Sequence, residues 1–174
     1  MSSWLRRAGR GILPDGTNLL WSVAEGRAGR RWRSTTTRRD GSLALELLLE
    51  VDSAGHFSRL EMTSPTGMLT LHPESSGSRV DGNVVTPEGV MPISLPWSPA
   101  HQLRVAGSPI PELVTAGVRR MGTTWIDIVE IGTDLGARSS RSAVGEGSGR
   151  LGDPRGVPSL ERATEWPLEL EPGR

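Results

Sequence analysis

Tryptophan is the side chain that stands out in this sequence. The 174 residues include six tryptophans but only one phenylalanine and no tyrosine. An indole ring combines a large apolar face with one N–H donor, so it suits a groove that binds an apolar chain or a sugar ring. Four of the rings, Trp21, Trp32, Trp97 and Trp125, fall in or beside stretches with strand character. They are expected either to fill the core or to line such a groove.

Two polar side chains accompany these rings as candidate ligand contacts. Arg33 follows Trp32 directly, and His101 comes shortly after Trp97. A guanidinium or an imidazole can hydrogen-bond the polar or anionic headgroup of an amphiphilic molecule. The predicted ligand-binding set is therefore these two residues together with the four tryptophans.

The arginine-rich segment Arg30–Arg39 supports a second hypothesis, an interaction or nucleic-acid-binding β module. Arginines around Trp32 are typical of a strand that holds a nucleic-acid backbone and stacks a base. The chain as a whole has 20 basic and 20 acidic residues and no net charge, which favours a solvated cationic face opposed by acidic strands. We therefore rank a nucleic-acid partner below an amphiphilic one.

Several kinds of chemistry are excluded by composition. Cysteine is absent and all 20 basic residues are arginine, which removes disulfides, zinc–cysteine sites, the P-loop lysine and Schiff-base lysines. The three histidines are isolated, and neither H-E-x-x-H nor G-x-S-x-G occurs. No metal or cofactor is predicted. A hydrolase is a third hypothesis, which requires a histidine bonded to a serine or carboxylate in one pocket.

The elements that must position these residues follow from Leu43–Val51. One parity holds Leu43, Leu45, Leu47, Leu49 and Val51, and the other holds Ala44, Glu46 and Glu50, which is the period-two pattern of a strand with one buried face. Turn pairs such as Asp40-Gly41 separate this strand from its neighbours and predict an up-and-down meander. The expected strands are 18–24, 30–39, 43–51, 56–63, 68–72, 79–86, 101–106 and 123–131.

Two further segments complete the predicted architecture. Gly89–Pro99 carries three prolines, so it must lie at a sheet edge or rim. Ser108 is a good N-cap, and apolar residues at helical spacing follow it, which predicts one short helix over 109–121.

The predicted fold class is all-β and mainly antiparallel, with a curved meander sheet forming a barrel or half-barrel over residues 18–131. Residues 1–17 are expected to be loosely ordered. The Gly/Ser/Arg/Pro-rich tail, residues 132–174, is expected to be mostly disordered, although Trp166, Leu168 and Leu170 could dock as an edge strand. The absence of a long apolar run predicts no membrane span and a soluble, cytoplasmic protein.

Residues 21–114 resemble a bacterial family of β-rich single-domain proteins described as glycolipid-binding. The resemblance rests on three short motifs: Trp32-Arg33-Ser34-Thr35, Val80-Asp81-Gly82 followed by Thr86-Pro87, and Leu95-Pro96. It implies a partly open β-barrel or roll with a lipid-sized groove and no assigned catalysis. A non-enzymatic binding protein for a glycolipid or other amphiphilic small molecule is therefore the leading functional hypothesis, and the oligomeric state is left open.

Overall fold

The computed structural model describes residues 6–115 and 125–143, together with the backbone of residues 161–167. These residues form two β-sheets and one short helix, α1, at Ile110–Thr115. The strands are β1 Arg6–Ile12, β2 Asn18–Gly26, β3 Gly29–Thr37, β4 Leu43–Val51, β5 Phe57–Ser64, β6 Gly67–Pro73, β7 Arg79–Thr86, β8 Gly89–Pro96, β9 Gln102–Val105, β10 Trp125–Ile131, β11 Ala137–Ala143 and β12 Glu161–Pro167.

The larger sheet is an antiparallel meander. Its nine strands lie in the order β12-β1-β2-β3-β4-β5-β6-β7-β8, so every strand from β1 to β8 pairs with its neighbour along the chain. Tight turns join them, and Gly41 and Gly55 adopt φ of 85° and 86°, a conformation that glycine reaches without strain. Since β12 and β8 form the two edges, the described strands make an open, curved sheet of the half-barrel type and not a closed barrel.

The predicted anchor strand is confirmed as β4, with the bounds Leu43–Val51. Leu45, Leu47 and Leu49 are buried, whereas Glu46 is exposed, as the alternation predicts. The buried side chains of the neighbouring strands lie on the same face, which is the inner face of the curved sheet. This face provides most of the hydrophobic core.

A second, three-stranded sheet covers part of the inner face. β9 and β10 are parallel, and β11 pairs antiparallel with β10. The connection between β9 and β10 contains α1, as a parallel pair requires a crossover. The second half of β10 is buried on both faces, because Ile128 and Val129 point in opposite directions and both are buried. At one end of this sheet Thr36 Oγ1 donates a hydrogen bond to the carbonyl of Gly107 at 3.2 Å.

The structure differs from the sequence predictions at both ends of the chain. Residues 6–12 form β1, within the segment 1–17 that was expected to be loosely ordered. Residues 137–143 and 161–167 form β11 and β12, within the tail 132–174 that was expected to be mostly disordered. All three strands pair through backbone hydrogen bonds with an available sheet edge, which needs no apolar alternation.

Two further predictions concern the docking of the C-terminal segment and the length of the helix. The suggestion that a segment containing Trp166 docks as an edge strand is confirmed, since β12 pairs with β1 in a register that places position 166 opposite Ala8. Leu168 and Leu170 lie outside the described residues. The helix was predicted over 109–121, and α1 is described over 110–115. The last part of the predicted helix therefore also lies outside the described residues.

Gly9 in β1 allows the indole of Trp21 to pack against the backbone. A Cβ at position 9 would lie 2.6 Å from Trp21 Cζ2, well inside van der Waals contact. We expect Gly9→Ala to lower the free energy of unfolding by about 1–3 kcal/mol, because a ring within the core has no free space to move into. Gly26→Ala is the matched control, since no heavy atom lies within 4 Å of its Cβ position. Equal stability of the two variants in urea titrations would contradict the packing argument.

The edge strand β8 has prolines at regular positions. The two-residue turn between β7 and β8 pairs Thr86 with Gly89, and hydrogen-bonded and non-hydrogen-bonded pairs alternate from there. By this alternation the backbone nitrogens of Val90, Pro92, Ser94 and Pro96 face away from β7, and the two prolines carry no N–H. Half of the donors on the free edge are therefore missing, which protects it against pairing with another strand.

Replacing these prolines should allow the β8 edge to pair with a strand of another molecule. Val90 and Met91 are exposed on β8, so a new strand would also find apolar side chains there. We expect the double variant Pro92→Thr/Pro96→Thr to associate more strongly than the wild type as concentration rises, in sedimentation velocity runs. Pro65→Thr, in an exposed turn, is the control. A double variant that sediments like the wild type at every concentration would show that the prolines do not protect the edge.

Candidate functional site

Aromatic side chains meet at one end of the two sheets. Trp97 follows β8 and packs edge-on against Phe57 at the start of β5, with ring centroids 5.2 Å apart and an interplanar angle of 63°. The backbone N–H of Trp97 donates to the carbonyl of Ser78 at 2.9 Å, which fixes this segment against the turn between β6 and β7. Both rings are buried. We call this region the aromatic end and define it by Phe57, Trp97, His101, Trp125 and Asp127.

His101 stacks on Trp97 and closes a tight turn. The two rings are 5.5 Å apart and inclined by 32°. The backbone N–H of Ser98 donates to His101 Nδ1 at 3.0 Å, and Ser98 Oγ lies 2.9 Å from the same nitrogen. Since the amide can only donate, Nδ1 is the acceptor and the proton of the neutral ring is on Nε2.

This turn bears on the hydrolase hypothesis. A serine and a histidine are in contact, but Ser98 and His101 belong to the same turn and the lone pair of Nδ1 already accepts the Ser98 amide proton. A general base needs that lone pair for the nucleophile. The contact is therefore better explained as stabilisation of the turn that holds the imidazole against Trp97.

Asp127 and Trp125 reach the aromatic end from β10. The parallel register pairs Ile128 with Gln102, which places Asp127 beside His101. Arg141 donates to Asp127 at 2.8 Å. This hydrogen bond, together with the positive charge of Arg141, holds the pKa of Asp127 below its usual 3.8. Trp125 shares a strand face with Asp127, and its side chain is 58 % exposed.

The structure separates the predicted ligand-binding set into three groups. Trp97, His101 and Trp125 belong to the aromatic end. Trp21 and Trp32, which are 2 % and 1 % exposed, lie in the core on the inner face of the large sheet. Arg33 lies on the outer face, exposed, between Ser22 and Leu48 on the adjacent strands.

The arginine strand is largely balanced by acidic neighbours. Arg30 donates to Glu25 at 3.0 Å, and Arg31 pairs with Glu50 on the adjacent strand. Arg38 is engaged with the carbonyl of Leu43 at 2.7 Å. Trp32 points inward and does not present a face on which a base could stack. The contacts of the described residues in this strand therefore fit a solvated cationic face better than a nucleic-acid site.

Three of the surface pockets formed by described residues have no tryptophan in their lining. One, of about 480 Å³, is lined by the paired side chains Arg104, Glu130 and Arg138. A second, of about 450 Å³, lies beside Arg30 and Glu50, and a third, of about 220 Å³, lies beside Arg33. None is the tryptophan-lined groove predicted from the sequence.

Sequence reasoning did not identify Phe57, Ser98, Asp127 or Arg141 as part of a site. The sequence allows Asp127 as a member of an acid–base pair with Glu46, Glu50, Glu61 or Glu130, but an outward-facing strand charge was the preferred interpretation. Its position beside His101 depends on the parallel pairing of β9 with β10, for which the sequence carries no signal. Phe57 is the only phenylalanine in the chain, and its place at the start of a strand was the one available hint.

Within residues 6–115 and 125–143 no group of three potential metal ligands converges. None of the helical structure in that part of the chain has the length and apolar character required to cross a bilayer. No family model, curated protein or solved structure matches this chain.

The Asp127–Arg141 pair predicts a specific acid dependence. Because the folded state lowers the pKa of Asp127, its contribution to stability is present above the unfolded pKa and is lost as the pH falls through the folded value. Urea titrations between about pH 6 and 2 should therefore show the wild type and Asp127→Asn converging as the pH falls. Glu46→Gln, which removes an exposed outer-face carboxylate, is the charge-matched control. A constant difference between wild type and Asp127→Asn at every pH would exclude the titration of Asp127 as its cause.

Proposed function

We propose that this protein is a non-enzymatic binding protein for an amphiphilic small molecule, whose sugar or other hydroxylated headgroup binds at the aromatic end. The observation that carries the proposal is the position of Trp125. It is a large, solvent-exposed ring on the same strand face as Asp127, and Asp127 in turn lies beside His101.

The chemistry of this end suits a sugar ring better than a charged headgroup. An exposed indole offers a flat apolar face to the C–H side of a sugar. The carboxylate of Asp127 accepts hydrogen bonds from hydroxyl groups, and the guanidinium of Arg141 donates them. Because Arg141 and Asp127 neutralise each other, a neutral polyol meets no unbalanced charge.

The apolar part of the ligand would lie towards the inner face of the large sheet. Phe57 and Trp97 at the aromatic end continue directly into the apolar core, so a chain attached to the headgroup would contact the same kind of surface. The glycolipid resemblance noted from the sequence agrees with this division into a polar and an apolar part.

Trp125→Ala should weaken the binding of octyl β-D-glucoside, measured by isothermal titration calorimetry below its critical micelle concentration. We expect a loss of about threefold to tenfold, in keeping with one aromatic contact at an exposed site. Leu20→Ala is the matched control, because Leu20 is a similarly exposed apolar side chain on the outer face of the large sheet. A wild type that does not bind the glucoside, or a Trp125→Ala variant that binds it as well, would overturn the proposal.

A further inference from the structure

β3 carries a line of polar groups along the otherwise apolar inner face. Trp32, Ser34 and Thr36 alternate with outward-facing residues, and all three are buried. Thr36 is satisfied through the carbonyl of Gly107. Trp32 Nε1 and Ser34 Oγ are fully buried and have no hydrogen-bond partner among the described residues.

The surroundings of these two groups are apolar. Trp32 lies between Val23 of β2 and Leu49 of β4 in the strand register. Ser34 lies between Trp21 and Leu47 in the same way. Buried donors are almost always paired, because an unpaired one loses its bond to water without replacement. Two such groups on adjacent positions of one strand face therefore point to an acceptor between them.

The spacing of the two donors suits a single acceptor. Residues two apart on a strand are separated by about 6–7 Å along the backbone, which is about twice the length of a hydrogen bond and is compatible with one oxygen between the two residues. Since an indole N–H and a hydroxyl are neutral and their strand neighbours are apolar, a neutral oxygen is favoured over a carboxylate.

This position lies inward from the aromatic end. Arg30, Val51 and Phe57 form the outermost rung of the large sheet there. Trp32 lies two residue pairs deeper, beside Leu49, and Ser34 lies two pairs beyond that, beside Leu47. A molecule that enters beside Phe57 with its apolar chain leading would reach both groups.

We propose that Trp32 Nε1 and Ser34 Oγ bind a neutral oxygen, an ester carbonyl or a hydroxyl, in the apolar part of the amphiphile. This inference rests on the proposed function and adds a chemical requirement to it. The ligand must carry an oxygen acceptor within its buried portion in addition to its headgroup.

Four probes with the same chain length separate the candidate groups: dodecane, 1-dodecanol, methyl laurate and laurate. Binding to the full chain is measured by native mass spectrometry and by the shift in Tm. We expect 1-dodecanol or methyl laurate to bind about tenfold more tightly than dodecane, and laurate to gain no such advantage. Ser34→Ala and Trp32→Phe should each remove most of that preference.

Ser108→Ala is the matched control, because Ser108 also has a buried hydroxyl without a described partner but lies outside β3, just ahead of α1. Circular dichroism of the unliganded variants establishes that they fold. Without ligand, Ser34→Ala should be at least as stable as the wild type, since it removes an unpaired polar group. A marked loss of stability would instead assign Ser34 a structural role and overturn the inference.

The remaining outcomes distinguish this inference from the proposed function. If the wild type binds octyl β-D-glucoside but does not discriminate among the dodecyl probes, the inner-face site is wrong and the proposed function stands. If Ser34→Ala and Ser108→Ala retain the wild-type preference equally, the inner-face site is also wrong. If methyl laurate depends on Ser34 but the glucoside is not bound, the inner-face site stands and the headgroup assignment fails.

Discussion

The apolar inner face of the large sheet is the constraint on which the rest of the structure depends. Strands β2 to β7 each place large apolar side chains on that face, and such a surface is stable only when it is removed from water. Curvature buries part of it. The three-stranded sheet covers another part, since Leu103, Val105, Val129 and Ile131 belong to the same core cluster.

This covering arrangement also places the candidate site. The segment that leaves β8 must cross to the second sheet, and Trp97 and His101 lie in that crossing. The parallel pairing of β9 with β10 then brings Asp127 next to His101. The aromatic end is therefore a consequence of joining the two sheets at that position. Only part of it, chiefly Trp125, reaches solvent.

On the exposed surfaces, oppositely charged side chains of adjacent elements form ion pairs. Arg104 contacts Glu112 of α1 and Glu130 of β10, and Glu130 is also held by Arg138 of β11. Burial raises the pKa of Glu130, but the bonds and charges of its arginine partners outweigh it, so the net pKa is lowered. In the arginine-rich segment Arg30–Arg39, Arg30 and Arg31 are likewise paired with Glu25 and Glu50 on adjacent strands, which weakens the field that would attract nucleic acid.

The sequence by itself determined the meander from β2 to β7, because period-two alternation and turn residues are local properties of the chain, and its prolines placed the segment that forms β8 at an edge or rim. It did not identify β1 or β11, where glycine, serine and arginine show no alternation and an adjacent strand edge supplies the hydrogen bonds. It marked four tryptophans as important, yet burial of Trp21 and Trp32 and exposure of Trp125 were decided by the tertiary structure. Side-chain type is encoded locally, whereas accessibility depends on which distant segments pack above a residue.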